Sequence, residues 1–276
     1  MPSAGRDTVK YGGNTACVEI RLASGEIIVI DAGTGIRKLG AALLQEFAQK
    51  KTSDPIVIHM LFTHFHWDHI QGFPFFRPIF DNRFNFKIYG HPGKNFTLKE
   101  ILAAQIRAPY LPFLFEDLRA RIEIFELGEE SFSIGETQIH SIPTNHPNNN
   151  YAYKIIEDKK TLVFMSDNNL SPPEHQLITI FDTFVRFCAN ANLLIHDTQW
   201  SDEEAKLFST WGHSSYSQVL DLAVKARVKS VVFFHHDPYH SDRDIDNLVK
   251  KAKLQVKNSR PKIKCQAAKE GLLIKI

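Results

Sequence analysis

Short β-branched and aromatic runs, broken by turn residues, dominate the pattern of apolar and polar positions along this chain. Ala16 to Leu22 and Glu26 to Ile30 predict two strands, joined as a hairpin by Ala23-Ser24-Gly25. From Ile36 to Lys51 the apolar positions Ile36, Leu39, Leu43, Leu44 and Phe47 recur at helical spacing. The run 56–62 predicts a buried strand and Phe86 to Gly90 another, followed by a short helix from Leu98 to Arg107. Strands are expected at Ile122 to Leu127, Ser131 to Ile134, Thr137 to Ile142, Tyr151 to Glu157 and Thr161 to Met165. Pro172 to Asn190 reads as a helix and Leu193-Leu194-Ile195 as a short strand. Ser215 with Gln218 forms a capping box for a helix through Ala226. Val231 to Phe234 is a last buried strand, and Ser241 with Asp244 opens a long helix rich in Lys, whose charge reads as a solvated face. Leu272 to Ile276 reads as a closing strand.

With 276 residues, 43% of them hydrophobic, the chain can bury one large α/β core or two small ones, and a single domain over 1–276 is expected. Cys17, Cys188 and Cys265 are odd in number and widely spaced, so they suggest neither a metal motif nor a disulfide framework, and a reducing compartment is expected. The start Met1-Pro2-Ser3-Ala4-Gly5 carries no apolar leader, and no run approaches the roughly 20 apolar residues that span a membrane. A cytoplasmic enzyme with no membrane partner is the expectation.

The chemistry concentrates in Thr63-His64-Phe65-His66-Trp67-Asp68-His69, directly after the run 56–62. Imidazoles and a carboxylate at this density suit a borderline transition ion such as zinc. Gly72 and Pro74 follow, so any helix after His69 is brief and the ligands sit on a strand-to-helix loop. The same event repeats: His146, Asp167 and the pair His235-His236 each stand just past a strand-like run. Ligand-type side chains gathered at one sheet edge need this placement. His59 and His140 lie inside strands and read as packed side chains. Asp31-Ala32-Gly33-Thr34-Gly35 lacks the Lys-Ser/Thr ending of a P-loop; Asp31 reads as a structural hydrogen-bonding group for the metal loop. The aromatic stretch 72–80, with Phe75 and Phe76, is either a packed loop or a pocket wall on which a base could stack.

The series His64, His66, Asp68, His69, His146, Asp167 and a late histidine resembles the motif series of the metallo-β-lactamase superfamily of metallo-hydrolases. The resemblance implies an αββα sandwich, with two mixed sheets flanked by helices. It also implies two divalent metal ions, zinc first, with manganese or iron as other candidates. By carry-over, His64, His66 and His146 hold one ion, Asp68, His69 and the late histidine the other, and Asp167 bridges them. His235 directly follows the last strand and is preferred as the late ligand; His236 takes its place if the register slips by one. A bridging aspartate rather than a cysteine points toward the phosphodiesterase side of the superfamily.

Leu194-Ile195-His196-Asp197-Thr198 followed by Gly212-His213-Ser214 resembles a motif pair of ribonuclease Z and its phosphodiesterase relatives. There an acidic residue orients a histidine near the leaving group. The resemblance assigns Asp197 and His213 that work, gives Asp68 a part in orienting the attacking hydroxide held by the two metals, and leaves His196 structural. The implied activity is hydrolysis of a small phosphodiester, a cyclic or short nucleotide. Rival readings are a carboxylic ester, lactone or thioester hydrolase, a ribonuclease, and a metal-binding scaffold without turnover. The strand that usually precedes Tyr11-Gly12-Gly13 in the family is not expected here: either another element covers the sheet edge or the chain start is shortened, and an exposed edge would invite pairing in a homodimer. The net charge of +2, from 33 basic and 31 acidic residues, and the lack of a long Gly/Pro-rich arm speak against structured RNA as substrate.

Overall fold

The computed structural model describes residues 1–49, 54–128, 131–259 and 262–276. They form two compact units, one of residues 1–2 and 14–128, the other of residues 3–13 and 129–276.

The first unit contains β1 (Val18–Arg21), β2 (Ile27–Ile30), α1 (Ile36–Glu46), β3 (Ile56–Leu61), α2 (Trp67–Ile70), β4 (Phe84–Gly90), α3 (Leu98–Ala104) and β5 (Arg121–Glu126). The strands form one sheet in the order β1-β2-β3-β4-β5. Only the β1–β2 pair, the predicted hairpin, is antiparallel. Strand β2 is buried at every position, as a parallel strand covered on both faces must be. Ile36 and Leu43 of α1, Leu98 and Leu102 of α3, and Phe73, Phe76 and Ile79 share one buried core with this sheet. Thr97 caps α3 by accepting from the Glu100 amide, and Glu100 returns the bond to the Thr97 amide.

The second unit contains β6 (Ser131–Ile134), β7 (Thr137–Pro143), β8 (Tyr151–Glu157), β9 (Lys160–Met165), α4 (Phe181–Phe187), β10 (Leu193–Asp197), α5 (Asp202–Leu207), α6 (Tyr216–Lys225), β11 (Ser230–Phe234), α7 (Asp242–Gln255) and β12 (Lys264–Ala267). Its sheet runs β12-β11-β10-β9-β8-β7-β6, antiparallel from β6 to β9 and parallel from β9 to β12. Val219, Leu220 and Ala223 of α6 and Ile245, Val249 and Ala252 of α7 close its core. Residues 3–13 belong to this unit: the Lys10 amide donates to Asp242 at 2.8 Å and the Gly13 amide to Glu270 at 3.0 Å. The expected fold class is therefore present as two mixed sheets, each with its helices. No helix among the described residues is long and apolar enough to cross a membrane.

Three expectations change. The helix expected from Pro172 to Asn190 shrinks to α4, preceded by a 3₁₀ turn at Glu174–Gln176. Pro172 and Pro173 cannot supply amides to a helix, and the Asn145 side chain instead accepts from the amides of Ile178 and Thr179, at 2.8 and 2.7 Å. The closing strand is Lys264–Ala267 rather than 272–276. Its alternation of exposed Lys264 and Gln266 with buried Cys265 and Ala267 is the half-buried pattern that a search for apolar runs passes over. Helix α5 went unread because it buries no residue; only its Ser201–Glu204 capping box marks it. The far end of the first helix, Lys50 and Lys51, lies outside the described residues; α1 ends at Glu46.

Candidate metal centre

In the first unit, β3 ends at Leu61 and the chain turns through Thr63 to His66 into the single turn of α2. The loop is held from below by Asp31, which follows β2. The Asp31 carboxylate accepts from the Thr63 amide at 2.8 Å and the Thr63 hydroxyl at 2.8 Å, and contacts His69 Nδ1 at 2.8 Å. The Ala32 amide donates to the His69 carbonyl at 2.7 Å. Gly33 lies so close that a Cβ there would stand 2.4 Å from the Asp68 carbonyl oxygen, so only glycine admits this approach. Burial pushes the Asp31 carboxyl above the usual range, against the pull of the His69 ring and the Thr63 donors. Asp31 is thus the supporting group the sequence suggested.

His64 and His69 are fully buried; His66 and Asp68 are half-buried. The His64 ring lies 4.6 Å from that of His66 and 4.2 Å from that of His69, and His69 Nε2 is 3.5 Å from Asp68 Oδ2. His64 Nδ1 is 3.1 Å from the Thr63 hydroxyl. A ring nitrogen engaged by carboxylate or hydroxyl fixes the tautomer and leaves Nε2 as the ligand edge.

In the second unit the corresponding groups come from four separate strand ends. His146 follows β7; its Nδ1 donates to the Gly212 carbonyl at 3.0 Å and its Nε2 lies 3.8 Å from Asp167 Oδ2. Asp167 follows β9 and receives the Ser166 hydroxyl. His235 follows β11, with Nε2 3.5 Å from Asp167 Oδ1. His236, the alternative late ligand, has Nδ1 3.4 Å from the Tyr216 hydroxyl and Nε2 3.2 Å from the Ala268 carbonyl, so both ring nitrogens are committed elsewhere. Burial lowers its pKa to about 4.

Asp197 ends β10. Its carboxylate accepts from the amides of Gln199 at 2.9 Å and Asn168 at 3.2 Å, and meets His213 Nδ1 at 2.8 Å. The His213 ring stacks on His235 at 5.2 Å and 14°. Ligand-type atoms of Asp167, His213 and His235 lie within 4.8 Å of one another. Gly212, at φ +83°, sits against His146; a Cβ there would fall 2.3 Å from the ring nitrogen. His196 is buried and neutral, its pKa lowered by burial, as its structural reading required. Three of the groups discussed, Asp31, Asp167 and His235, adopt left-handed backbone angles of φ +60°, +49° and +58°. Such angles are uncommon outside glycine, and asparagine, aspartate and histidine adopt them more readily than other residues do.

Sequence reasoning missed the asparagines that brace these loops. The Asn145 amide group donates to the carbonyls of Asn169 and Thr179, and the Asn168 carbonyl oxygen accepts from the Asn145 backbone. Asparagines crowd both loops in the sequence, but nothing in their spacing tells which carbonyl each one meets. The stacking role offered for Phe76 fails: the ring is fully buried, 5.6 Å from Phe86, and only Phe75 is exposed. His59 is buried against Tyr89 as expected, whereas His140 is half-buried and meets the Ser131 hydroxyl at 2.6 Å. These donor sets, with their supporting partners, form histidine/aspartate clusters suited to a divalent metal ion.

A sequence profile described as a beta-lactamase superfamily domain matches residues 26–236. Ribonuclease Z of Picrophilus torridus is 23% identical over 260 residues, covering 79% of this chain and 78% of the relative. The structure of human tRNase Z, short form, matches with a TM-score of 0.63 at 17% identity, covering 100% of this chain and 97% of that one. Unliganded yeast PDE1 matches with a TM-score of 0.68 at 15% identity, covering 98% and 96%. These likenesses overturn the exclusion of structured RNA: the curated sequence relatives carry the name of a ribonuclease. The exclusion rested on the lack of a Gly/Pro-rich arm and on a net charge summed over the whole chain, and a sum near zero says nothing about how charge is distributed over the surface.

Proposed function

Because the chain belongs to the beta-lactamase superfamily and is a metal-dependent hydrolase of that fold, we propose that it cleaves a phosphodiester bond of a nucleotide substrate. The observation that carries this reading is the Asp197–His213 pair, joined at 2.8 Å, with His213 grouped with Asp167 and His235. Hydrolysis of a diester leaves an alkoxide that needs a proton, and a histidine fixed through Nδ1 presents Nε2 for that delivery. A carboxylic ester expels an alkoxide too, so it is the ribonuclease Z relative, and not the leaving group, that favours the phosphodiester.

In this proposal the metal-holding groups are His64, His66, Asp68, His69, His146, Asp167 and His235. Two divalent ions, zinc foremost, would supply water activated near neutral pH and neutralise charge growing on the phosphoryl oxygens. Asp68 orients the attacking water. His213 donates the proton to the leaving oxygen, and Asp197 holds it in the required tautomer. The residues 1–276 act together as one hydrolase domain.

Two substrate classes fit. A cyclic or short nucleotide meets the chemistry, which makes no demand on substrate size. RNA is favoured by the ribonuclease Z relative. The test measures bis(p-nitrophenyl) phosphate, cyclic AMP, a p-nitrophenyl carboxylic ester and an RNA with a single-stranded 3′ tail, with metal-stripped protein and added zinc or manganese. Metal-dependent cleavage of the diesters supports the proposal; cleavage of the carboxylic ester alone refutes it.

A further inference from the structure

We propose that the basic face made by α7 and β12 docks the phosphate backbone of an RNA substrate. Residues 248–276 contain nine Lys and Arg but a single acidic residue, Glu270, so the rest of the chain is net acidic. Lys250 and Lys253 lie three apart on α7, and Lys257 follows four later in the turn beyond it, which keeps them on one side. Lys262 and Lys264 are two apart and face outward while Ile263 and Cys265 face in. All five are exposed. Lys253, Lys257, Lys262 and Lys264 surround a hollow of about 500 Å³ floored by Val256 and Ile263.

Elsewhere some lysines are paired with carboxylates: Lys10 with Asp246, Lys225 with Asp221 and Lys99 with Glu116. Among the described residues these four have no carboxylate partner. Lysine on an edge strand guards against strand pairing, but that role concerns β12 alone and leaves the helix lysines unexplained. Like charges converging on one hollow from a helix and a strand are a site for a repeating anion.

The register fixes how large that anion must be. Strand β12 runs parallel to β11 with Lys264 opposite Ser230, the first residue of β11. His235 follows Phe234, the last. The hollow therefore stands about 15 Å along the strand direction from the His235 loop. A cyclic nucleotide cannot touch both; an RNA of several nucleotides can. The docking face rests on the phosphodiesterase reading with RNA as substrate.

The test replaces Lys253, Lys257, Lys262 and Lys264 together by Gln and measures anisotropy of a fluorescein-labelled RNA hairpin with a single-stranded 3′ tail. Binding is read in EDTA between 50 and 200 mM salt. Loss of four phosphate contacts should reduce the slope of log affinity against log salt by about 3 and weaken binding at least ~10-fold. KM for RNA cleavage should rise while turnover of bis(p-nitrophenyl) phosphate stays unchanged, and the matching Lys→Arg variant should bind like the parent. An unchanged slope and affinity overturns the proposal, as does a parent protein that binds phosphatidylserine vesicles but not RNA. If neither protein cleaves the small diester, the activity reading falls, and the anisotropy still decides the docking face.

Discussion

Each unit contains a buried histidine–aspartate pair with the same contact, Nδ1 to Oδ2 at 2.8 Å: His69 with Asp31 in the first, His213 with Asp197 in the second. The pairs differ in what surrounds them. Asp31 binds the Thr63 amide and hydroxyl, so its carboxylate ties together the loop that carries four candidate ligands. Asp197 binds the amides of Asn168 and Gln199, so its carboxylate aims one histidine from a loop of its own. One pair builds a metal loop; the other, in the proposed mechanism, poises a proton. Identical geometry thus carries different chemistry, and the difference lies in the third partner of each carboxylate.

Replacing the histidines should separate the pairs most widely. His69→Ala should abolish tight metal binding and turnover together, as read by metal analysis and diester hydrolysis. His213→Ala should lower turnover about 10²–10⁴-fold with metal content unchanged; a parallel loss of metal would make His213 a ligand and erase the contrast. The aspartates give the next largest effect. Asp31→Asn should weaken metal affinity about 10–100-fold, with turnover recovered in excess metal, whereas Asp197→Asn should resist rescue by metal.

Histidines outside the pairs govern acid stability. Burial, reinforced by Lys87, holds His59 down at about 4, and burial alone brings His91 to about 4. Their unfolded values near 6.5 lie higher, so the unfolded chain binds more protons between these limits. Their contribution is complete above about pH 6.5 and is lost as the pH falls toward 4, by ~1–3 kcal/mol each. Melting temperature across that window should vary less with pH in His59→Gln than in the parent. The smallest effect is a gain: His235→Gly should relieve the left-handed backbone and add about 1 kcal/mol in urea unfolding, while activity is lost.

The same contrast explains what could be read from the chain. The first unit's ligands stand within six positions after a mostly apolar run, so local pattern sufficed. In the second unit His146, Asp167, Asp197, His213 and His235 are scattered over 90 positions; their place at strand ends marked His146, Asp167 and His235, and family resemblance added Asp197 and His213. The bracing by Asn145 and Asn168 was invisible because a side-chain amide can serve any nearby carbonyl or amide, and only the fold selects which. Strand β12 was missed because its alternation contains no apolar run, and helix α5 because it buries no residue; the existence of both depends on neighbours distant in sequence.

The left-handed angles at Asp31, Asp167 and His235 set stability against chemistry at single positions. Glycine fits each backbone better than the residue that is there, and asparagine fits at least as well. At Asp31 and Asp167 the bonds from Thr63, His69 and Ser166 reward the carboxylate, so a library screened only for heat resistance or soluble yield would drift toward glycine at His235. Its winners would be well-folded proteins that no longer bind metal. Inactive descendants of this fold lie one exchange away and carry no folding penalty to reveal them, so any programme that hardens the protein must assay turnover at every round.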